Sequence, residues 1–297
     1  MSLHSFEQPG AMPSAPLAVL AGGGKLPIIV ADAARRSGRD VLVLGVIGEA
    51  DDGISAFRHE WVSWGELGKI RKLIDTHGAR DLVMVGSVKR PDFRSLKVDF
   101  GTIRALPRIF ALLAGGDDNA LSGAIKIAES WDLRVIGAHE IATDLVAGPG
   151  TLGLVKPTAA NREDLTLAHR AAKAIGELDI GQAAVSIGRH VVAVEGMEGT
   201  DGMLLRVRTL REEGRGRWRD RTGVLAKRSK PQQDLRVDMP TVGPKTIEHA
   251  AAAGLAGIGI EAGRVMLVDR KEMIALADTA GLFVVAEDLN GTPGSDA

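Results

Sequence analysis

Residues 17–38 read LAVLAGGGKLPIIVADAARRSG. The apolar run Leu17–Ala21 stops at Gly22-Gly23-Gly24, and residues 26–37 then carry apolar side chains at helical spacing before Gly38. A strand apolar on both faces, a glycine turn and a helix make up the unit from which parallel sheets covered by helices are built. The pattern recurs downstream. Val41–Val46 (VLVLGV) predicts a second buried strand, residues 67–76 a helix closed by Gly78, and residues 82–85 (LVMV) a third strand. Helices at 102–114 and 120–131 and a short strand at 134–136 extend it. The expected fold class is therefore α/β, with a Rossmann-like parallel-sheet domain over residues 16–146.

Residues 147–153 (AGPGTLG) hold turn residues without periodicity, which places an interdomain linker at 147–160. Beyond it, a second, mixed α/β domain is expected over 161–288. It opens with a helix at 162–177 capped by Asn161. Ala183–Ile187 and residues 191–195 form a hairpin turning at Gly188-Arg189, and a helix spans 201–211. Strands at Val224–Lys227, 257–260, 265–268 and 282–285 alternate with helices at 246–253 and 270–280. Residues 1–15 and 289–297 carry little to bury and read as a disordered leader and tail.

Composition removes whole classes of chemistry. Thirty-seven basic and 38 acidic residues among 297 leave a net charge of −1, so nothing suggests a nucleic-acid binder. The absence of cysteine excludes disulfides, thiolate catalysis and Cys-ligated zinc. With no Tyr and 3% aromatic residues, a base-stacking groove is improbable. The histidines lack H-x-x-x-H or H-E-x-x-H spacing, and no G-x-S-x-G elbow occurs. No apolar run reaches the roughly 18 residues of a membrane span, nor is there a signal-peptide core. A cytoplasmic location follows as the expectation, with contact at a membrane surface left open.

What remains is glycine, carboxylate, lysine and arginine chemistry. Gly22, Gly23, Gly24 and Lys25 lie between a strand and a helix, where backbone N–H groups can meet a phosphate. Pro27 breaks the G-x-G-x-x-G pattern, and a tight turn is the plain alternative. Gly86, Ser87, Lys89 and Arg90 follow the third strand, and suit a phosphate or uracil–ribose contact as well as a solvated loop. Both loops leave carboxyl strand ends and can face one crevice. Gly115-Gly116-Asp117-Asp118-Asn119 offers oxygen ligands or a helix cap. The densest stretch is 227–245, KRSKPQQDLRVDMPTVGPK, whose prolines argue for an ordered extended loop. In it, Asp234 and Asp238 can bind Mg²⁺, while Lys227, Lys230, Arg236 and Lys245 can neutralise a diphosphate. A solvated loop of mixed charge would look similar. Finally, Glu195 ends an apolar strand, and Thr200 or Asp201 would cap the next helix.

Taken together, LAVLAGGGKLP, GSVKRP, GGDDNALS, DIGQAAVSIGRHVVAVEGMEGTDGML and the K-P-x-Q-D-x-R-x-D-x-P-x-x-G motif resemble the LpxI-type UDP-2,3-diacylglucosamine pyrophosphatases. The resemblance covers about residues 17–286, and the aspartate motif is its specific part. It implies Mg²⁺- or Mn²⁺-assisted attack of water on the α-phosphorus, giving UMP and 2,3-diacylglucosamine 1-phosphate (lipid X). It also implies a substrate chamber between the two domains. The motif carboxylates fall on Asp234 and Asp238, as metal ligand or water activator, and Gln182, Thr200 and Asp201 match family positions that can line the chamber. Glu195, Thr241 and Lys245 join the expected substrate-binding set. The glycolipid substrate implies transient contact with the inner-membrane surface, and a homo-oligomer stays open. A nucleotide-sugar transferase or a non-catalytic nucleotide or glycolipid sensor are the rival readings.

Overall fold

The structure, a computed structural model, describes residues 15–88, 99, 102, 117–216, 218 and 220–289, with the backbone alone for 117–120. The expected leader, tail, most of the helix at 102–114, Lys89, Arg90 and the side chains of the 115–119 cluster lie outside the described residues. The chain divides into two compact units, Met1–Ala142 and Thr143–Ala297.

The first unit holds β1 (Leu17–Ala21), α1 (Leu26–Arg36), β2 (Val41–Val46), β3 (Arg58–Val62), α2 (Leu67–His77), β4 (Asp81–Val85), α3 (Asp117–Glu129), β5 (Arg134–Val135) and α4 (Ala138–Ile141). Its strands pair in parallel in the order β3-β2-β1-β4-β5. Every residue of β2 is buried, as its unbroken apolar sequence requires. Successive connections run outward from β1 in opposite directions, so the loops after β1 and β4 flank the switch point where such sheets bind ligands. Pro27 sits in the first turn of α1, where its missing N–H costs nothing. At the opposite sheet end, buried Asp81 accepts both donors of the Arg134 fork, at 2.8 and 3.0 Å, and pairs with Arg39.

In the second unit, β6 (Gly150–Thr151), β7 (Ala183–Ile187), β8 (His190–Val194), β9 (Val224–Lys227), β11 (Gly257–Glu261) and β13 (Phe283–Glu287) form one sheet, ordered β6-β13-β11-β9-β7-β8. Strands β9, β11 and β13 are parallel, β6 and β7 run against them, and β8, returning from β7, runs with them. The hairpin turns at Gly188 and Arg189, both at positive φ, the backbone that a two-residue turn demands. Helices α5 (Ala159–Glu177), α6 (Gly199–Glu212), α7 (Pro244–Ala252) and α8 (Arg270–Thr279) fill the connections. Strands β10 (Thr241–Val242) and β12 (Met266–Leu267) form a separate parallel pair.

Several sequence expectations shift. The stretch expected as a linker supplies β6, because Gly150 and Thr151 pair with Ala286 and Val285. Helix α5 is capped by Thr158, with Asn161 as its capping-box partner. Thr200 and Asp201 lie inside the first turn of α6 and do not cap it, the N-cap being Glu198. Helix α7 begins two residues early, at Pro244. Among the described residues, no helix is long and apolar enough to cross a membrane.

Candidate active site

In the first unit, the two loops expected to face one crevice are hydrogen-bonded to each other. Gly22 N donates to Val85 O at 2.9 Å, while Gly23 and Ser87 exchange N–H···O bonds of 2.8 and 2.9 Å. The approach leaves no room for side chains: a Cβ on Gly22 would stand 2.5 Å from Ser87 O, and Gly86 has φ +108°. One feature was invisible in the sequence. Gly24 N donates to Asp51 Oδ2 at 2.8 Å, so a carboxylate occupies an amide of the glycine loop. Lys25 lies exposed at the start of α1.

The second unit concentrates its buried polar groups where β9 ends. Lys227, the last residue of β9, pairs with Ala183, which puts it beside Gln182 just before β7 and Glu195 just after β8. Lys227, Glu195 and Thr200 are 7%, 6% and 8% exposed. Buried charges must be paired and hydrogen-bonded, and these are: Lys227 Nζ donates to Thr200 Oγ1 at 2.8 Å, and Thr200 donates to Glu195 Oε1 at 2.7 Å. The other Glu195 oxygen accepts Gln182 N at 2.9 Å. Burial pulls the Lys227 ammonium below its ordinary pKa, against the opposing pull of Glu195, Asp201 and Asp238.

The segment after β9 is extended and turn-rich, as its prolines foretold. It is anchored at buried Glu261, which accepts Ser229 N and Oγ at 3.0 and 2.8 Å. Asp234 and Asp238 are joined through their backbone, Asp238 N donating to Asp234 O at 3.0 Å. Their side chains differ in employment. Arg236 folds back on Asp234, with Nε 3.0 Å from Oδ1 and an Nη 2.7 Å from Oδ2, and this hydrogen bonding, against burial, holds the Asp234 carboxyl below its usual range. Asp238 Oδ2 accepts Gln233 Nε2 at 2.6 Å. Among the described residues no donor reaches Asp238 Oδ1.

Around this centre, Asp201 pairs with Lys245 at 3.0 Å and His249 at 3.2 Å. Burial would raise the Asp201 pKa, but Lys245 and His249 outweigh it and hold the carboxyl low. Lys230 pairs with Asp179 at 2.5 Å. Thr241 sits in β10, half-buried. The structure thus joins Lys227, Thr200, Glu195 and Gln182 in one network and ties Asp238 to it through Gln233. It also seats Asp201 and Lys245 together. Sequence reasoning passed over Gln233, Asp179, Glu261 and His249. Three left a usable signal: Gln233 is a fixed position of the K-P-x-Q-D motif, Asp179 opens the D-I-G-Q stretch, and His249 follows Lys245 by four residues on the same helix face.

For divalent metal, no group of three or more His, Asp or Glu side chains converges among the described residues. That does not suit an all-protein cage. The donor present is the Asp238 carboxylate, and a single carboxylate can serve Mg²⁺, which keeps several waters and takes one or two carboxylates plus phosphate oxygens.

Two family models match the chain. The LpxI N-terminal domain matches residues 16–145 and the LpxI C-terminal domain residues 148–285. The chain is 42% identical, over 93% of its length and 99% of the relative's, to the UDP-2,3-diacylglucosamine pyrophosphatase LpxI of Caulobacter vibrioides. Among solved structures, a UDP-glucose-4-epimerase of Stenotrophomonas maltophila aligns over 49% of this chain and 40% of that one. It does so at 13% identity and a TM-score of 0.25, too little for any argument. On both its domains and its near full-length relative, the chain belongs to the LpxI family.

Proposed function

We propose that the chain hydrolyses the diphosphate of UDP-2,3-diacylglucosamine, water attacking the α-phosphorus to release UMP and 2,3-diacylglucosamine 1-phosphate (lipid X). The observation that carries this reading is the buried Lys227–Thr200–Glu195 chain beside Asp238, in a protein similar along its length to a pyrophosphatase of that substrate. Hydrolysis of a diphosphate by in-line attack needs positioning and charge neutralisation more than covalent chemistry. Lys227 supplies a cation in a site where burial strengthens its attraction for phosphoryl oxygens. Thr200 fixes the ammonium, and Glu195 favours its charged form against the opposing effect of burial. Asp234 holds Arg236 in a set orientation from which its guanidinium can meet the diphosphate.

Mg²⁺ or Mn²⁺ is part of the proposal, held by Asp238 with water and substrate phosphates completing its shell. When bound, it would neutralise charge developing on the phosphoryl oxygens. The acyl chains require apolar surface, and exposed Leu178, Ile180 and Met197 lie within four residues of Gln182 or two of Glu195 in sequence. Such a substrate brings the protein to the cytoplasmic face of a membrane, transiently.

The test is hydrolysis of UDP-2,3-diacylglucosamine in ¹⁸O-water with Mg²⁺, followed by mass analysis. Label in UMP is the expected result. Label in lipid X would mean attack at the β-phosphorus, and absence of turnover would remove the hydrolase reading. Release of UMP only when an acceptor is added would identify a transferase.

A further inference from the structure

We propose that Gln233 is a positioning residue that sets the Asp238 carboxylate, resting on the reading of the site given above. Gln233 is 8% exposed, and a buried primary amide must find partners for both ends. Its orientation is fixed by the backbone: Oε1 accepts Lys230 N at 3.1 Å, which turns the NH₂ group the other way. There Nε2 donates to Asp238 Oδ2 at 2.6 Å and stands 3.5 Å from Gln182 Oε1.

The consequence is a division of labour within one carboxylate. Oδ2 is committed to Gln233, so Oδ1 is the oxygen that remains for a cation or water. Because Gln182 N is itself bound to Glu195, the same frame reaches Thr200 and Lys227. Cation and carboxylate are therefore held by a single hydrogen-bonded chain, and Gln233 is its link between the β9 end and the aspartate motif. The residue type matters. Glutamate would keep the acceptor for Lys230 N but set a second oxygen against Asp238 Oδ2. Alanine would leave Oδ2 and the Lys230 amide without these partners.

Gln233→Glu and Gln233→Ala are compared with the wild type and with Gln232→Ala, a change at an exposed neighbour outside this chain. Both Gln233 variants are expected to lose about 30-fold in kcat, with KM within about threefold, and to melt at a lower temperature because buried polar groups lose their partners. Gln232→Ala is expected to behave as wild type. In unfolding free energy, Gln233→Ala should cost less in an Asp238→Ala background than in the wild type, since the two share one hydrogen bond. Gln233→Glu with wild-type kcat would overturn the proposal, as would fully additive losses. A readout without turnover uses the ¹⁵N-labelled full chain. The Gln233 side-chain amide protons should be shifted downfield and slow to exchange, and Asp238→Ala should return them towards solvent-exposed values. Amide signals indifferent to Asp238→Ala would overturn the proposal even where Gln233 variants fail to fold. If the wild type does not hydrolyse the glycolipid nucleotide, the functional reading falls, while the amide signals still decide the positioning role.

Discussion

Lys227 Nζ donates to Thr200 Oγ1 at 2.8 Å, and the same hydroxyl donates onward to Glu195 Oε1 at 2.7 Å. A strand end, a helix start and a hairpin end are thereby joined through one threonine. A hydroxyl suits the junction because it accepts from the cation and donates to the carboxylate at once.

Thr200→Val should therefore do more than remove a methyl-sized polar group. It leaves Lys227 and Glu195 Oε1 without this partner in a buried site, a loss of about 1–3 kcal/mol in denaturant unfolding. UMP release should fall at least about tenfold, whereas Thr200→Ser should retain most of it. Equal activity in valine and serine variants would refute the relay.

The buried ammonium also predicts a pH signature. Its folded pKa lies below the ordinary 10.5, so between the two values the unfolded chain binds more protons. Stability attributable to this group must then rise with pH through that window and fall as pH drops towards the folded value. The difference in unfolding free energy between wild type and Lys227→Met should climb with pH up to about 10.5 and flatten below the window. A difference independent of pH would contradict the burial argument.

Asp81 gives the opposite case. Burial raises its pKa, but hydrogen bonds from Arg134 and Arg39 outweigh that and hold the carboxyl below its usual 3.8. Its contribution is thus present above 3.8 and disappears as pH falls through the lower folded value. Asp81→Asn should cost about 3 kcal/mol at neutral pH, because Arg39 is left buried without its counter-charge. Chemical denaturation of both proteins across an acid series should show the gap closing.

Gly22→Ala tests the zipped loops of the first unit. The new Cβ would meet Ser87 O at 2.5 Å, so the β1 and β4 loops must part. A stability loss of about 1–3 kcal/mol is expected, with a weaker apparent substrate affinity and little change in kcat. Unchanged KM would separate this loop from the substrate.

Chelation should abolish turnover, and Mg²⁺ or Mn²⁺ should restore it. Asp238→Ala should remain inactive at any tested metal concentration, since it loses the carboxylate with the spare oxygen. Asp234→Ala should also lose turnover, because Arg236 loses the carboxylate that orients it, and added formate or acetate should recover part of it. Recovery of Asp238→Ala by excess metal would assign that role elsewhere.

Much of the fold was legible because strand and helix periodicities are local. The runs Leu17–Ala21, Val41–Val46 and Ala183–Ile187 appear in the structure with the bounds the sequence suggested. Boundaries failed where a tertiary partner decided them. Nothing local in Gly150-Thr151 announces a strand; its pairing with Val285 and Ala286 makes it one. Asn161 looks like a cap, yet Thr158 takes that place and Asn161 completes the box. The candidate site was legible as residue types, through the aspartate motif and the glycine loops. Its partnerships were not: Gln233 stands in the motif without a sign that it meets Asp238, and Glu261 reveals itself only by what it touches.

The sequence by itself determined the alternation of strands and helices, the two-part organisation, and a chemistry without thiols, built on carboxylates and cations. Those follow from composition and from short-range spacing. Only the tertiary structure decided which cation meets which carboxylate. Lys227 lies 27 residues from Thr200 in the chain, and Gln182 lies 51 from Gln233, so their contacts exist only once β9 has docked against β7 and the hairpin has closed. Burial at that junction then removes competing water, and it is this that makes each hydrogen bond there specific.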